Sequence, residues 1–247
     1  MKILGIIPAR YASTRFPGKP LIDIYGKTMI QRVFEQCKKS KYLNEIIVAT
    51  DDTRIFDHVK GFGGKVIMTK ADHPSGTDRC QEVAAQLKGE FDAIINIQGD
   101  EPFIFPQQID ELASCFNDSN TEIATLVKHV TQAEQLTNSG FVMTAVDVNG
   151  FALYFSRFPI PFQKNRPQNE WLQSHKYLDH VGIYGYRTEV LEKICQLPPS
   201  SLEIAESLEQ LRWLENGFKI KTQLTGFESY PVDTPEDLAK LPKNLID

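Results

Sequence analysis

Apolar runs alternate with stretches of helical spacing through the first hundred residues of the chain. Ile3 to Ile7 reads as a short buried strand. Met29, Ile30, Val33, Phe34 and Cys37 then recur at the interval of one helix face, and Glu45 to Thr50 returns to a β-branched run closed by Asp51-Asp52. Beyond the Gly63-Gly64 turn come a run from Lys65 to Met68, a helix from about Thr77 to Leu87 and a strand from Ala93 to Gln98. This β-α-β rhythm predicts an α/β fold with a doubly wound, mostly parallel sheet.

The pattern then changes. Phe141 to Val148 and Phe151 to Phe155 flank Asn149-Gly150, a pair that predicts a hairpin closed by a type I′ turn. Pro159, Pro161 and Pro167 interrupt a polar stretch, so residues 160 to 176 read as an exposed excursion, mobile or at a subunit contact. A strand around His180 to Tyr186 follows, then a helix from about Leu202 to Asn216 stopped by Gly217, and a strand from Lys219 to Thr222. A last helix opens at Thr234-Pro235-Glu236-Asp237, with Thr as N-cap and Pro at the first helical position. The expected organisation is a single domain over residues 1–247, with an excursion at about 138–187.

Composition narrows the class. A chain of 247 residues that is 41% hydrophobic can bury a full α/β core. Its net charge of −5 argues against a partner that is nucleic acid or an anionic membrane surface. No stretch approaches the roughly 20 apolar residues of a membrane span, and the apolar start is too short for a signal sequence. The 4 cysteines are widely spaced with no Cys-x-x-Cys pair. The expectation is a soluble cytoplasmic protein with reduced thiols.

The candidate chemistry begins in the loop after the first strand. Pro8-Ala-Arg-Tyr-Ala-Ser-Thr-Arg-Phe-Pro-Gly-Lys-Pro20 places Arg10, Arg15 and Lys19 on a segment stiffened by two prolines, where cations can surround a polyphosphate at the carboxyl end of a strand. Gly26-Lys27-Thr28 is not the tail of a Walker loop, because Leu21 stands where the earlier glycine is required. The chain also lacks a dinucleotide glycine fingerprint and a zinc-protease His-Glu-x-x-His helix. Gln98-Gly99-Asp100-Glu101-Pro102 sets a carboxylate directly after an apolar strand, suited either to Mg²⁺ or to capping the next helix. Ser75-Gly76-Thr77-Asp78-Arg79 offers hydroxyls and free amides at a helix start, able to read a base edge or a phosphate, or simply to cap. His180, Tyr184, Glu209, Gln210, Arg212 and Asp233 each have a plain structural explanation when taken alone.

Together these segments resemble the 3-deoxy-D-manno-octulosonate (Kdo) cytidylyltransferase family, the CMP-Kdo synthetases of lipopolysaccharide assembly. The resemblance runs nearly end to end. It is carried by Pro8 to Pro20, Ala49-Thr-Asp51, Ser75 to Arg79, Gln98 to Pro102, Ala152-Leu-Tyr-Phe-Ser-Arg157, His180 to Arg187, Leu208-Glu-Gln-Leu-Arg212 and Val232-Asp-Thr-Pro-Glu-Asp237. It implies a nucleotide-diphosphosugar transferase fold with a smaller β-rich sugar-binding and dimerisation lobe, a homodimer, and the reaction CTP + Kdo → CMP-Kdo + pyrophosphate. By motif position, Arg10, Arg15 and Lys19 are implied for the phosphates. Ala9, Arg10, Ser75, Gly76, Thr77, Arg79, Gln98 and Asp100 are implied for the nucleotide, and Asp100 with Asp233 for Mg²⁺. Gln98, Arg157, His180, Tyr184, Glu209 and Gln210 are implied for the sugar acid.

One stretch departs from the family pattern: Asn138-Ser139-Gly140 stands where Asn-Pro-Asn is usual, and Met143 stands where a lysine would follow. That implies one cation fewer near the sugar or phosphate. The rivals are a cytidylyltransferase for another acidic sugar, such as 8-amino-Kdo or a sialic acid, and a non-catalytic nucleotide-binding regulator. Retention of the phosphate cations and both carboxylates argues against the regulator.

Overall fold

The computed structural model describes residues 1–12, 16–87 and 89–241; residues 13–15, 88 and 242–247 lie outside the description. Eleven strands are present among the described residues: β1 Ile3–Ala9, β2 Asp23–Ile24, β3 Lys27–Thr28, β4 Glu45–Thr50, β5 Lys65–Met68, β6 Ala93–Asn96, β7 Ile123–His129, β8 Met143–Val146, β9 Ala152–Ser156, β10 Leu178–Arg187 and β11 Ile220–Leu224. The α-helices are α1 Met29–Cys37, α2 Thr53–Gly61, α3 Gly76–Gln86, α4 Pro106–Ser114, α5 Ala133–Thr137, α6 Trp171–Ser174, α7 Thr188–Ile194, α8 Ser201–Glu206, α9 Gln210–Glu215 and α10 Pro235–Ala239.

The main sheet runs in the order β11-β7-β10-β6-β1-β4-β5. β6, β1, β4 and β5 are mutually parallel, as are β11 and β7, while β10 runs antiparallel to both β6 and β7. The expected doubly wound, mostly parallel sheet is present, with one reversed strand near its centre. Alternation along each strand separates two cores. Ile3, Ile7, Val48, Ile95 and Leu126 face one side with α1, α2 and α4; Leu4, Ile6, Ile47, Ala49 and Ile94 face the other with α3 and α7. A strand covered on both faces reads as an unbroken apolar run, which explains Ile3-Leu-Gly-Ile-Ile7.

The smaller lobe is a branch of this sheet. β8 pairs with β9 and touches β10 through Met143 and Asp179. Its own core gathers Val130, Leu136, Met143, Trp171 and Tyr177. Met143 is 2% exposed there, so the position expected to have lost a cation serves packing in this chain.

Three local readings need correction. The turn at Asn149-Gly150 is not type I′, because Gly150 has φ 77° and Asn149 has no positive φ. Asp147 sets the turn instead: its carboxylate accepts the amides of Asn149 and Phe151 at 2.8 Å each, which favours a three-residue loop with glycine in the left-handed position. The helix read over 202–216 is two helices, broken where Ser207 turns left-handed at φ 54°. The third difference is an omission. Residues 103–137 carry α4 and the interior strand β7, to which the sequence reading assigns nothing. The last helix starts as expected, with the Thr234 hydroxyl accepting the Asp237 amide.

Candidate active site

The basic loop leaves β1 at Ala9 and is closed at its base by the Gly18 amide, which donates to the Tyr11 carbonyl at 3.0 Å. Gly18 adopts φ 72°, and a Cβ there would meet the Tyr11 ring at 3.1 Å, so glycine is required for this closure. The Arg54 guanidinium lies 3.3 Å from the centroid of that ring and is paired with Asp52 at 2.6 Å. The loop is thus braced from α2 before it reaches Lys19. Arg15 lies outside the described residues.

Lys19 Nζ donates to Asp100 Oδ2 and to Asp233 Oδ1, both at 2.9 Å. Burial works against the ammonium charge, but the two carboxylates outweigh it and raise the Lys19 pKa. Asp100 occupies the turn after β6 and Asp233 the residue before the α10 N-cap. The two segments are tied by the Val232 amide donating to the Asp100 carbonyl at 2.9 Å. At Gly99 a Cβ would stand 2.7 Å from the Pro8 carbonyl oxygen, so the turn carrying Asp100 is pressed against the end of β1.

The third wall is the start of α3. Ser75 is its N-cap and exchanges hydrogen bonds with Asp78. Gly76 packs against Pro8 and lines the cleft beside Ser75. Arg79 is 3% exposed, hydrogen-bonded to the Thr69 hydroxyl and paired with Asp51 at 3.3 Å. This arrangement explains why Ala49-Thr-Asp51 accompanies Arg79.

These walls enclose a cleft of about 240 Å³ at the carboxyl ends of β1 and β6. Ala9, Arg10, Lys19, Ser75, Gly76, Arg79, Gln98, Asp100 and Asp233 all line it, so the structure brings together nine residues singled out from the sequence. His73 lines it too and was missed. Its ring is held by Glu82, which also accepts the Lys70 amide at 2.9 Å. Asp72-His73-Pro74 reads as an ordinary loop, and the only available signal is a histidine two residues before the Ser75 N-cap.

Of the residues implied for the sugar acid, Gln98 lines the cleft, while His180, Tyr184, Glu209 and Gln210 lie on the α3 side of the sheet. Thr77 Oγ1 donates to Glu209 Oε2 at 2.7 Å, which joins α3 to the start of α9. Burial raises the Glu209 pKa, while Thr77, Ser75 and Arg212 pull it down. The Tyr184 ring stacks on Tyr186 and packs edge-on against Trp213. His180 and Tyr184 have ring centroids 5.1 Å apart, although four residues of regular strand span about 13 Å. A β-bulge between Val181 and Tyr184 brings the rings together.

Burial lowers the His180 pKa to about 3. Its Nε2 lies 2.9 Å from Thr125 Oγ1, and that hydroxyl already donates to the Ile183 carbonyl at 2.8 Å. The Nε2 atom therefore carries the proton of a neutral ring and Nδ1 is left to accept. Among the described residues, the buried Asn96 Oδ1, Thr144 Oγ1 and Gln210 Nε2 have no hydrogen-bond partner. Asn96 pairs across the sheet with Tyr184, and Gln210 follows Glu209, so two of these unfilled polar groups stand beside implied acceptor residues.

Arg157 behaves differently from the rest. Its guanidinium donates to the carbonyls of Glu206, Ser139 and Ser207 at 2.9, 3.1 and 3.3 Å. It therefore caps the end of α8 and pins the loop before β8.

A mostly parallel α/β sheet with a cationic, carboxylate-bearing cleft at its strand ends is the architecture of a nucleotide-handling transferase. The chain belongs to the cytidylyltransferase family, whose model, described as Cytidylyltransferase, matches residues 4–220. A relative from Bacteroides thetaiotaomicron, named 3-deoxy-manno-octulosonate cytidylyltransferase, is 56% identical over 241 residues, which is 96% of this chain and 96% of that protein. One of the same name from Parabacteroides distasonis is 54% identical, covering 97% of this chain and 96% of that protein. A solved structure of CMP:2-keto-3-deoxy-manno-octonic acid synthetase complexed with CTP superposes with a TM-score of 0.90 at 45% identity, covering 97% of this chain and 96% of that one. Within the cytidylyltransferases, these similarities place the chain among those named for 3-deoxy-manno-octulosonate.

Proposed function

We propose that the chain transfers CMP from CTP to the anomeric hydroxyl of Kdo, releasing pyrophosphate, in support of lipopolysaccharide synthesis. The observation that carries this reading is the convergence of Arg10, Lys19, Ser75, Arg79, Asp100 and Asp233 on one cleft, in a chain that matches a CTP-bound relative along almost its whole length. The C2 hydroxyl oxygen of Kdo forms a bond to the α-phosphorus while the bond to the bridging oxygen of pyrophosphate breaks. The hydroxyl proton passes to solvent. Charge grows on the equatorial oxygens and on the departing pyrophosphate, and Arg10, Arg15 and Lys19 are the cations assigned to meet it.

Asp100 and Asp233 suit Mg²⁺. Both carboxylates already converge on one cation, the Lys19 ammonium, and two carboxylates plus substrate phosphates are a usual Mg²⁺ environment. Bound there, the ion would neutralise phosphate charge and acidify the attacking hydroxyl. Ser75, Gly76, Thr77 and Arg79 hold the nucleotide in this reading. Gln98, His180, Tyr184, Glu209 and Gln210 hold the sugar acid, with neutral His180 acting as a hydrogen-bonding partner. Arg157, engaged with three carbonyls, supports the pocket wall and presents its remaining N–H groups.

A homodimer is supported by an apolar face on connected elements. Leu153, Phe158, Phe162 and Ile204 are 62%, 64%, 67% and 69% exposed, and Ser156 on β9 donates to Glu206 on α8 at 2.7 Å. Four unpaired cysteines accord with the reducing cytoplasm, and no helix among the described residues is long and apolar enough to cross a membrane.

The test is pyrophosphate release with Mg²⁺ and CTP, offered Kdo, 8-amino-Kdo or a sialic acid, and repeated with other nucleotides. Release with CTP and Kdo above all other pairs is expected. No release with any acidic sugar would overturn the assignment.

A further inference from the structure

We infer that Lys19 is an internal placeholder cation: it holds the Asp100 and Asp233 carboxylates together in the nucleotide-free protein and gives them up when metal arrives with nucleotide. The inference rests on the reading above that these carboxylates take Mg²⁺. It adds a coupling between metal binding and nucleotide binding, carried by one ammonium group.

The argument starts from repulsion. Asp100 and Asp233 come from chain segments 81 and 214 residues beyond Lys19, and two carboxylates brought to one point repel unless a cation sits between them. The backbone bond from Val232 to Asp100 fixes the segments, but it does nothing for the charges. Lys19 does, with both contacts at 2.9 Å and its side chain only 15% exposed. A divalent cation at the same oxygens must displace that ammonium.

The displaced group then needs an anion, and among the described residues lining the cleft there is no other. Among the described residues, the remaining charged side chains that line the cleft are Arg10 and Arg79, and Arg79 is already paired with Asp51. A divalent cation added alone would leave Lys19 stranded beside further positive charge. Added with a polyphosphate, it leaves Lys19 a new partner on the phosphate oxygens. Each ligand therefore favours the other, and by linkage the coupling is reciprocal.

Calorimetric Mn²⁺ titration of the nucleotide-free full chain tests this. Lys19→Met is expected to bind Mn²⁺ on the order of tenfold more tightly than wild type, because no ammonium competes. Melting without metal should fall in Lys19→Met and recover with Mn²⁺. Equal or weaker binding by the variant overturns the inference, as does tight stoichiometric Mn²⁺ binding by nucleotide-free wild type. Lys19→Gln carries the same measurement if the Met variant fails to fold. Adding Asp100→Asn to Lys19→Met should abolish the gain. If that double variant binds Mn²⁺ unchanged, the carboxylates are not the metal site and the underlying reading fails. If Asp100→Asn weakens binding while Lys19→Met does not tighten it, only the coupling fails.

Discussion

Thr77 and Glu209 are 132 residues apart, yet the hydroxyl of one donates to the carboxylate of the other at 2.7 Å. Thr77 sits in the first turn of α3, whose start lines the cleft proposed for the nucleotide, and Glu209 stands among the residues implied for the sugar acid. This hydrogen bond ties the cleft wall at α3 to the group proposed to hold the sugar acid. Thr77→Val removes one hydrogen-bond donor from a mostly buried carboxylate and should cost about 1–3 kcal/mol in urea unfolding. Thr77→Ser should restore most of that stability. A Thr77→Val protein as stable as wild type would show that the contact does not hold the two together.

Gly99 is a second point where shape decides function. A methyl group there would approach the Pro8 carbonyl oxygen to 2.7 Å, and neither backbone can yield without moving. Gly99→Ala should destabilise the protein by roughly 1–3 kcal/mol. It should also reduce turnover by about tenfold or more, because Asp100 shifts with the turn and angström displacements of positioning groups carry large rate penalties. Full activity in Gly99→Ala would mean that the Asp100 turn tolerates displacement.

Arg157 closes the end of α8 and the loop before β8 with three carbonyl contacts from one planar group. Arg157→Ala should lower the melting temperature by roughly 3–6 °C. Arg157→Lys should recover less than half of the loss, since a single ammonium cannot span the three carbonyls. If lysine substitutes fully, charge is the operative property and the clamp is secondary.

Much of the sheet was legible because β1, β4, β5 and β6 announce themselves by apolar runs between helical repeats. β7 was not, although Ile123-Ala-Thr-Leu-Val127 is equally apolar. It follows α4 with no glycine turn to mark it, and it lies between β10 and β11, partners distant in sequence. The break between α8 and α9 was invisible for a similar reason. Leu208, Leu211 and Leu214 continue a helical spacing, while the left-handed Ser207 that interrupts it has its carbonyl held by Arg157 from another segment. In the cleft, residue types and strand-end positions pointed to phosphate and metal chemistry. What sequence order could not supply was the partner of Lys19, because the Asp100–Lys19–Asp233 contact exists only once α10 is folded against the β6 turn. His73 escaped notice because its support, Glu82, lies on the helix after the loop that carries it.

His180 makes the chain sensitive to acid in a defined direction. The folded protein holds this ring neutral, with burial lowering its pKa to about 3, whereas an unfolded chain has an ordinary histidine near 6.5. Below about pH 6.5 the unfolded state takes up a proton that the folded state refuses, so stability falls as pH drops from about 6.5 toward 3. Between pH 6.5 and 4 this removes up to about 3 kcal/mol. Asp179 works in the opposite sense: burial raises its carboxyl to about 6, so protonation below that value favours the folded state. The wild-type profile therefore mixes the two, and His180→Gln separates them. Glutamine can still donate to Thr125 but does not titrate. At pH 7 the variant should be less stable than wild type through imperfect packing against Phe155 and Tyr184. At pH 4 the urea midpoints should converge or cross, since only the wild type has lost the histidine contribution. A stability gap that stays constant from pH 7 to 4 would show that the ring is already solvated in the folded protein, and its neutral hydrogen-bonding role would then be lost.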